Sequence, residues 1–175
     1  MTEAFLGLAG KTPKLMSLLM EHNGVKILQL VIWEDLSFVF RKRLLYRFKK
    51  LLKTLPSPQR KDLINKSNFL KSSFVVMLPF CGDYEFQEYL TELLVRLAMS
   101  QKNWKNMLMS WFTKFPTMAS GIALLNIKNY EVSCRKFLNA INESQPCDGR
   151  VHSLPCLHAV VSGSVELLKP MTSSG

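Results

Sequence analysis

The side chains through which this sequence could do covalent or metal chemistry are four cysteines (Cys81, Cys134, Cys147 and Cys156) and three histidines (His22, His152 and His158). Cys147, His152, Cys156 and His158 bring the donor types of a zinc site into one short stretch, but their spacings match no common zinc module. Cys156 with His152 or His158 has the residue types of a thiol nucleophile and its base, yet such dyads form from residues distant in sequence. Cys134 and Cys156 are better explained as small core residues. His22 is read at a helix end, where a cation or capping role suffices. No GxSxG, glycine-rich phosphate loop or HExxH occurs. Asp83, Glu85, Glu88 and Glu92 share one helix and read as a cap and a solvent face. The residues therefore point away from an enzyme, with no metal, cofactor or small-molecule substrate.

Charge is the stronger signal. Arg41, Lys42, Arg43, Arg47, Lys49, Lys50 and Lys53 lie along one amphipathic helix, followed by Arg60, Lys61 and Lys66. Such a row is either a solvated helix back or a surface for an acidic partner or nucleic acid. No acidic residue follows Asp35 on that helix, so no pairing within it dilutes the charge. Tyr46, among the cations, could stack on a base or pack on a partner. No helix-turn-helix, zinc-finger or RNA-binding signature is present, so any nucleic-acid binding would be non-specific. A second candidate, the stripe Trp104, Met107, Leu108, Trp111, Phe112 and Phe115, could be a partner groove, but its helical spacing favours core packing.

Composition bounds these readings. The chain has 175 residues, 47% hydrophobic and 21% charged, and a net charge of +10. That is the size of one domain with a real core, and it argues against disorder. The widely spaced cysteines favour reduced thiols. The glutamate near the start argues against a secretory signal. The apolar runs Ile27 to Trp33 and Phe74 to Phe80 fall well short of the roughly 18 residues of a membrane span. A soluble intracellular protein is expected.

The elements that must position these residues are helices. Leu15 to Val31 suggests two short helices broken at Asn23-Gly24. Phe40, Leu44, Leu45, Phe48, Leu51, Leu52 and Leu55 mark a helix from Ser37 to Leu55, stopped by Pro56 and Pro58. Asp62 to Leu70 reads as a short helix. Phe74 to Phe80 is ambiguous by periodicity and is taken as a buried helix ended by Pro79. Asp83 is the N-cap of the next helix, which carries Phe86, Leu90, Leu93, Leu94 and Leu97 and the pair Glu92 and Arg96. After the tryptophan stripe, Pro116 intervenes and Ile122 to Ile127 forms a short helix. The last helix starts with Asn129 as N-cap and buries Val132, Phe137, Leu138 and Ile141. An apolar segment from Val151 to Leu157 and a tail frayed beyond Pro170 follow. The expectation is an all-α stack of eight or nine short helices without a persuasive strand pair.

The wording of several segments is distinctive. Tyr130-Glu131, Cys134-Arg135, Phe137-Leu138-Asn139, Asn142, Arg150-Val151 and Leu154-Pro155-Cys156 follow one another in that order. Gly82-Asp83-Tyr84-Glu85, Glu92-Leu93, Arg96, Trp111-Phe112, Leu52 to Pro56 and Gln59-Arg60-Lys61 precede them, and Glu166-Leu167 and Lys169-Pro170 come after. Over roughly residues 40 to 170 this register resembles the N-terminal armadillo-like domain of the synaptonemal complex protein 2 family.

The resemblance implies an irregular armadillo-like α-solenoid over residues 1–170, with a disordered tail at 171–175. It implies a nuclear, non-enzymatic interaction module of the meiotic chromosome axis, or synaptonemal complex lateral element. Its partners would be other chromosome-axis or centromere-associated proteins, with no membrane. In the family the helical domain starts ahead of the position of Met1, and a pleckstrin-homology-type domain, disordered regions and a coiled coil follow it. Docking is thus the property that carries over. The alternative is a basic helical domain that binds nucleic acid or chromatin non-specifically through Arg41 to Lys53. A third reading is an incomplete product whose uncapped solenoid face favours association.

Overall fold

The computed structural model describes residues 13–67, 70–99, 101–144, 151, 158–161 and 165–168, with backbone alone for 13–17 and for the last two segments. Eight α-helices occur among them: α1 (Pro13–Ile32), α2 (Phe38–Thr54), α3 (Ser57–Lys66), α4 (Lys71–Phe80), α5 (Tyr84–Ala98), α6 (Trp104–Trp111), α7 (Pro116–Gly121) and α8 (Tyr130–Glu143). Two 3-10 turns, Ile122–Leu124 and Ile127–Asn129, link the last two helices where one short helix was expected.

Helix α5 is the hub. It packs against α2, α3, α4, α6 and α8, and Phe86, Leu90, Leu93, Leu94, Val95, Leu97 and Ala98 disappear into one core. Gly82, at φ 70°, turns the chain into it, a conformation that costs glycine little. Asp83 then caps it as expected, with Phe86 N–H donating to Asp83 Oδ1 at 2.8 Å. Gln87, fully buried, donates to Leu78 O on α4 and exchanges two hydrogen bonds with Asn142 on α8 at 2.8 and 3.0 Å. One amide thus ties three helices together with its polar atoms satisfied.

Helix α2 matches its expected bounds to the cap residues. Phe40 N–H donates to Ser37 Oγ, and Leu55 leaves the helix in extended conformation, as a residue before proline must. Leu44, Leu45, Phe48, Leu51 and Leu52 are buried.

Several boundaries differ from expectation. Asn23-Gly24 breaks nothing: α1 is one helix, and a Cβ on Gly24 would stand 2.9 Å from Leu63 Cδ1 of α3. The glycine marks a close helix–helix approach, not a turn. His22 therefore lies exposed within α1 and caps nothing. Helix α3 begins at Ser57, ahead of Asp62, because Pro58 occupies a first-turn position where its missing N–H is harmless. Pro79 lies inside the last turn of α4, which continues to Phe80. Pro116 likewise opens α7.

The stripe expected through Phe115 stops being helical at Trp111. Phe112 is nonetheless buried, edge-to-face with Phe137 at 6.5 Å. Asn129 makes no side-chain cap; Ser133 Oγ instead accepts from Asn126 N–H and donates back toward Asn126 O. Val132 is exposed and Cys134 takes its place in the core.

From Pro13 to Glu143 every described element is helical. Beyond it lies the one departure from the expected all-α stack. His158–Val161 (β1) pairs antiparallel with Val165–Leu168 (β2), with His158 opposite Leu168 and Val161 opposite Val165. The pair falls inside the range 1–170 expected to be helical. The segment Val151 to Leu157 lies, apart from Val151, outside the described residues, as does the tail 171–175.

Candidate acidic-partner surface

Helical periodicity sorts the seven cations of α2 into three directions. Lys42, Lys49 and Lys53 share a stripe with Tyr46 and turn toward α5. Arg43, Arg47 and Lys50 share the adjacent, outward stripe with Val39 and are exposed. Arg41 falls in register with Leu45, Phe48 and Leu52 on the core side and is half-buried.

The α5-facing stripe is ion-paired. Lys42 Nζ lies 2.9 Å from Asp83 Oδ2 and 2.6 Å from Glu85 Oε2. Asp83 thus serves a lysine with one oxygen and the helix end with the other. Burial alone lowers the Lys42 pKa, but hydrogen bonds to Glu85 and Asp83 and their charges raise it above its ordinary value.

Two turns on, Lys49 and Glu92, 8% and 7% exposed, meet at 2.6 Å. Glu92 Oε1 also accepts from Arg96 Nε at 2.8 Å and faces Lys53 Nζ at 3.8 Å. Burial pushes the Glu92 carboxyl up, yet the hydrogen bonds and charges of Lys49 and Arg96 hold it below its ordinary 4.5. The expectation that Asp83, Glu85 and Glu92 form only a cap and solvent face is corrected; no acid within α2 pairs with its cations, as its sequence implies, but these acids do. The acids that neutralise α2 come from a different helix, out of reach of any local spacing rule.

Tyr46 is also spoken for. Its ring packs on Tyr89 at 5.5 Å between centroids, and Lys50 Nζ stands 4.3 Å from its centroid. Lys49 Nζ caps Tyr89 at 4.0 Å. What α2 presents outward is a ridge of Arg43, Arg47 and Lys50 beside exposed Val39, with Lys53 exposed at the helix end.

The other candidates fare as follows. Cys147, His152 and Cys156 lie outside the described residues, and His158 is described only as a β1 backbone position. Among the described residues no group of three or more His, Cys, Asp or Glu could hold a metal ion. Burial pushes the Cys81 and Cys134 thiols up to about 11, so neither is a ready thiolate. In the tryptophan stripe Leu108 and Phe112 are core, while Trp104, Met107, Trp111 and Phe115 pack against it half-buried. Lys71 Nζ covers the Trp111 ring at 4.7 Å. Among the described residues no helix is long and apolar enough to cross a membrane.

No family model matches the chain. Its helical architecture is, however, that of a solved synaptonemal complex protein. That structure is 25% identical, with a TM-score of 0.69, over 87% of this chain and 38% of the other. Sequence comparison agrees. Mouse synaptonemal complex protein 2-like is 34% identical over 89 residues, 51% of this chain and 10% of the relative. Mouse synaptonemal complex protein 2 is 29% identical over 146 residues, 83% of this chain and 10% of the relative. The human protein of the same name is 27% identical over 135 residues. Over most of its length the chain is thus similar, in sequence and in helical architecture, to the synaptonemal complex protein 2 family. It spans about a tenth of the length of the curated relatives it matches.

Proposed function

We propose that this chain is a non-enzymatic docking module of the meiotic chromosome axis, acting in the nucleus on meiotic chromosomes. In this reading its helices form an irregular armadillo-like solenoid, and it engages an acidic surface of another axis or centromere-associated protein through Arg43, Arg47 and Lys50. The observation that carries the reading is the division of labour on α2. Lys42 and Lys49 are held by carboxylates of α5, while Arg43, Arg47 and Lys50 remain exposed. Within the ridge, Lys50 also stands over the Tyr46 ring at 4.3 Å.

The experiment is to image the tagged chain on spread chromosomes of meiotic germ cells, beside the Arg43→Glu, Arg47→Glu, Lys50→Glu variant. Linear signal that the variant loses supports the reading. A diffuse wild-type signal sinks it. The same ridge also suits a second occupant, the phosphate backbone of DNA. Phosphate binding weakens with salt at a slope near 0.9 per neutralised phosphate, so DNA affinity that is unchanged in the triple variant would discard that alternative.

A further inference from the structure

The core side of α2 begins at a guanidinium. Arg41 stands one turn ahead of Leu44 and Leu45, where the core stripe meets the end of α1 and the flank of α4. A groove of about 760 Å³ opens there, with apolar walls from Ile32, Phe38, Val76, Met77 and Phe80. Helix α4 buries Phe74, Val75 and Leu78 on its other side, while Val76 and Phe80, one turn apart, stay 48% and 52% exposed. Apolar side chains gathered in this way mark a docking place, whereas scattered ones need no explanation.

Arg41 supplies the chemistry of the groove. Its Cζ lies 5.8 Å from the Phe38 ring centroid, and its Nε is buried with no acceptor among the described residues. Glu34 stands on the lining but forms no ion pair with it. A carboxylate is the partner group that matches a guanidinium in charge and geometry. An acidic partner is also what a chain of net charge +10 attracts.

We propose that this groove docks a short segment of a partner protein that sets an acidic side chain against Arg41 and apolar side chains on Phe38, Val76 and Phe80. The groove opens on the opposite side of α2 from the Arg43, Arg47 and Lys50 ridge, so the two sites are separable by mutation.

The test is selection from a displayed random-peptide library on the 175-residue chain, followed by titration of the selected peptide with a fluorescein label. Enriched peptides should carry Asp or Glu beside apolar residues. Arg41→Glu should weaken them by about tenfold or more and select Lys or Arg in place of the acid. Val76→Ser should also weaken them, and both variants should melt with the wild type. The proposal is overturned if nothing is enriched, if the enriched peptides lack an acid, or if Arg41→Glu leaves selection and affinity unchanged. Self-association abolished by Val76→Ser would assign the groove to a second copy of this chain and overturn the partner segment.

Discussion

A carboxylate in a protein core persists only where its charge is met, and Glu92 is met by Lys49, Arg96 and, more distantly, Lys53. Removing it strands Lys49 in the interior. Glu92→Ala should destabilise the fold by about 3 to 5 kcal/mol, read by chemical denaturation. Replacing both Lys49 and Glu92 by Met should regain most of that loss, because the desolvation cost vanishes with both charges. The pH dependence has a defined sign. The folded pKa of Glu92 lies below its ordinary 4.5. The stabilisation is therefore complete above that value, where both states are ionised. It drains away as pH falls below 4.5 and the unfolded chain binds the proton first. Denaturation of the wild type and Glu92→Gln across this window should show a constant gap from neutral pH down to about pH 5 and a shrinking one below it. Glu92 and Arg96 are legible as an i,i+4 pair. The lysine 43 positions away is not, since nothing local specifies which turn of α2 crosses α5.

At the scale of elements, the positions where helices approach most closely are the ones the sequence misreports. Gly24 looks like a stop and is a contact. Gly24→Val should destabilise by about 1 to 3 kcal/mol through overpacking against Leu63. Gly24→Ala should be near neutral, since the helix preference of alanine, worth about 1 kcal/mol, offsets a shift of the Leu63 side chain. Thermal melts of the two variants distinguish a contact from a broken helix. Gln87 is a second such position. Gln87→Ala leaves Asn142 and Leu78 O without their partner, and should cost about 1 to 3 kcal/mol by equilibrium unfolding. By contrast the core stripe of α2, the Asp83 cap and the stop of α2 before Pro56 are readable, because each depends on side-chain spacing or on a missing N–H within a few residues. Pro58 and Pro116 were read as stops alone; that they also open α3 and α7 follows from the same missing donor.

For the whole molecule, net charge overstates what a partner meets. The chain carries +10, yet two of the seven α2 cations are fully engaged with α5 and a third, Arg41, faces the groove. Reversing Arg43, Arg47 and Lys50 to Glu should leave the melting temperature within a few degrees of wild type, since exposed charges contribute little to stability, while weakening capture of an acidic partner. The triple reversal of Lys42, Lys49 and Lys53 should instead unfold the protein, because it sets like charges against Asp83, Glu85 and Glu92. Circular dichroism melts of the two triple variants separate a docking ridge from a structural seam.

The sequence by itself determined the helical class up to Glu143, the core-facing side of each long helix and the resemblance to the synaptonemal complex protein 2 family. These are properties of short-range periodicity and of residue order, and they survive without coordinates. Tertiary structure alone decided which cations are available, that α5 is the hub, that Glu92 is internal, and that Arg41 closes a groove with Phe38, Val76 and Phe80. It also placed the strand pair His158–Val161 and Val165–Leu168, which the sequence does not signal. The physical reason is common to all of these. Burial and charge pairing are set by which helices cross, and a crossing brings together residues that no sequence spacing relates.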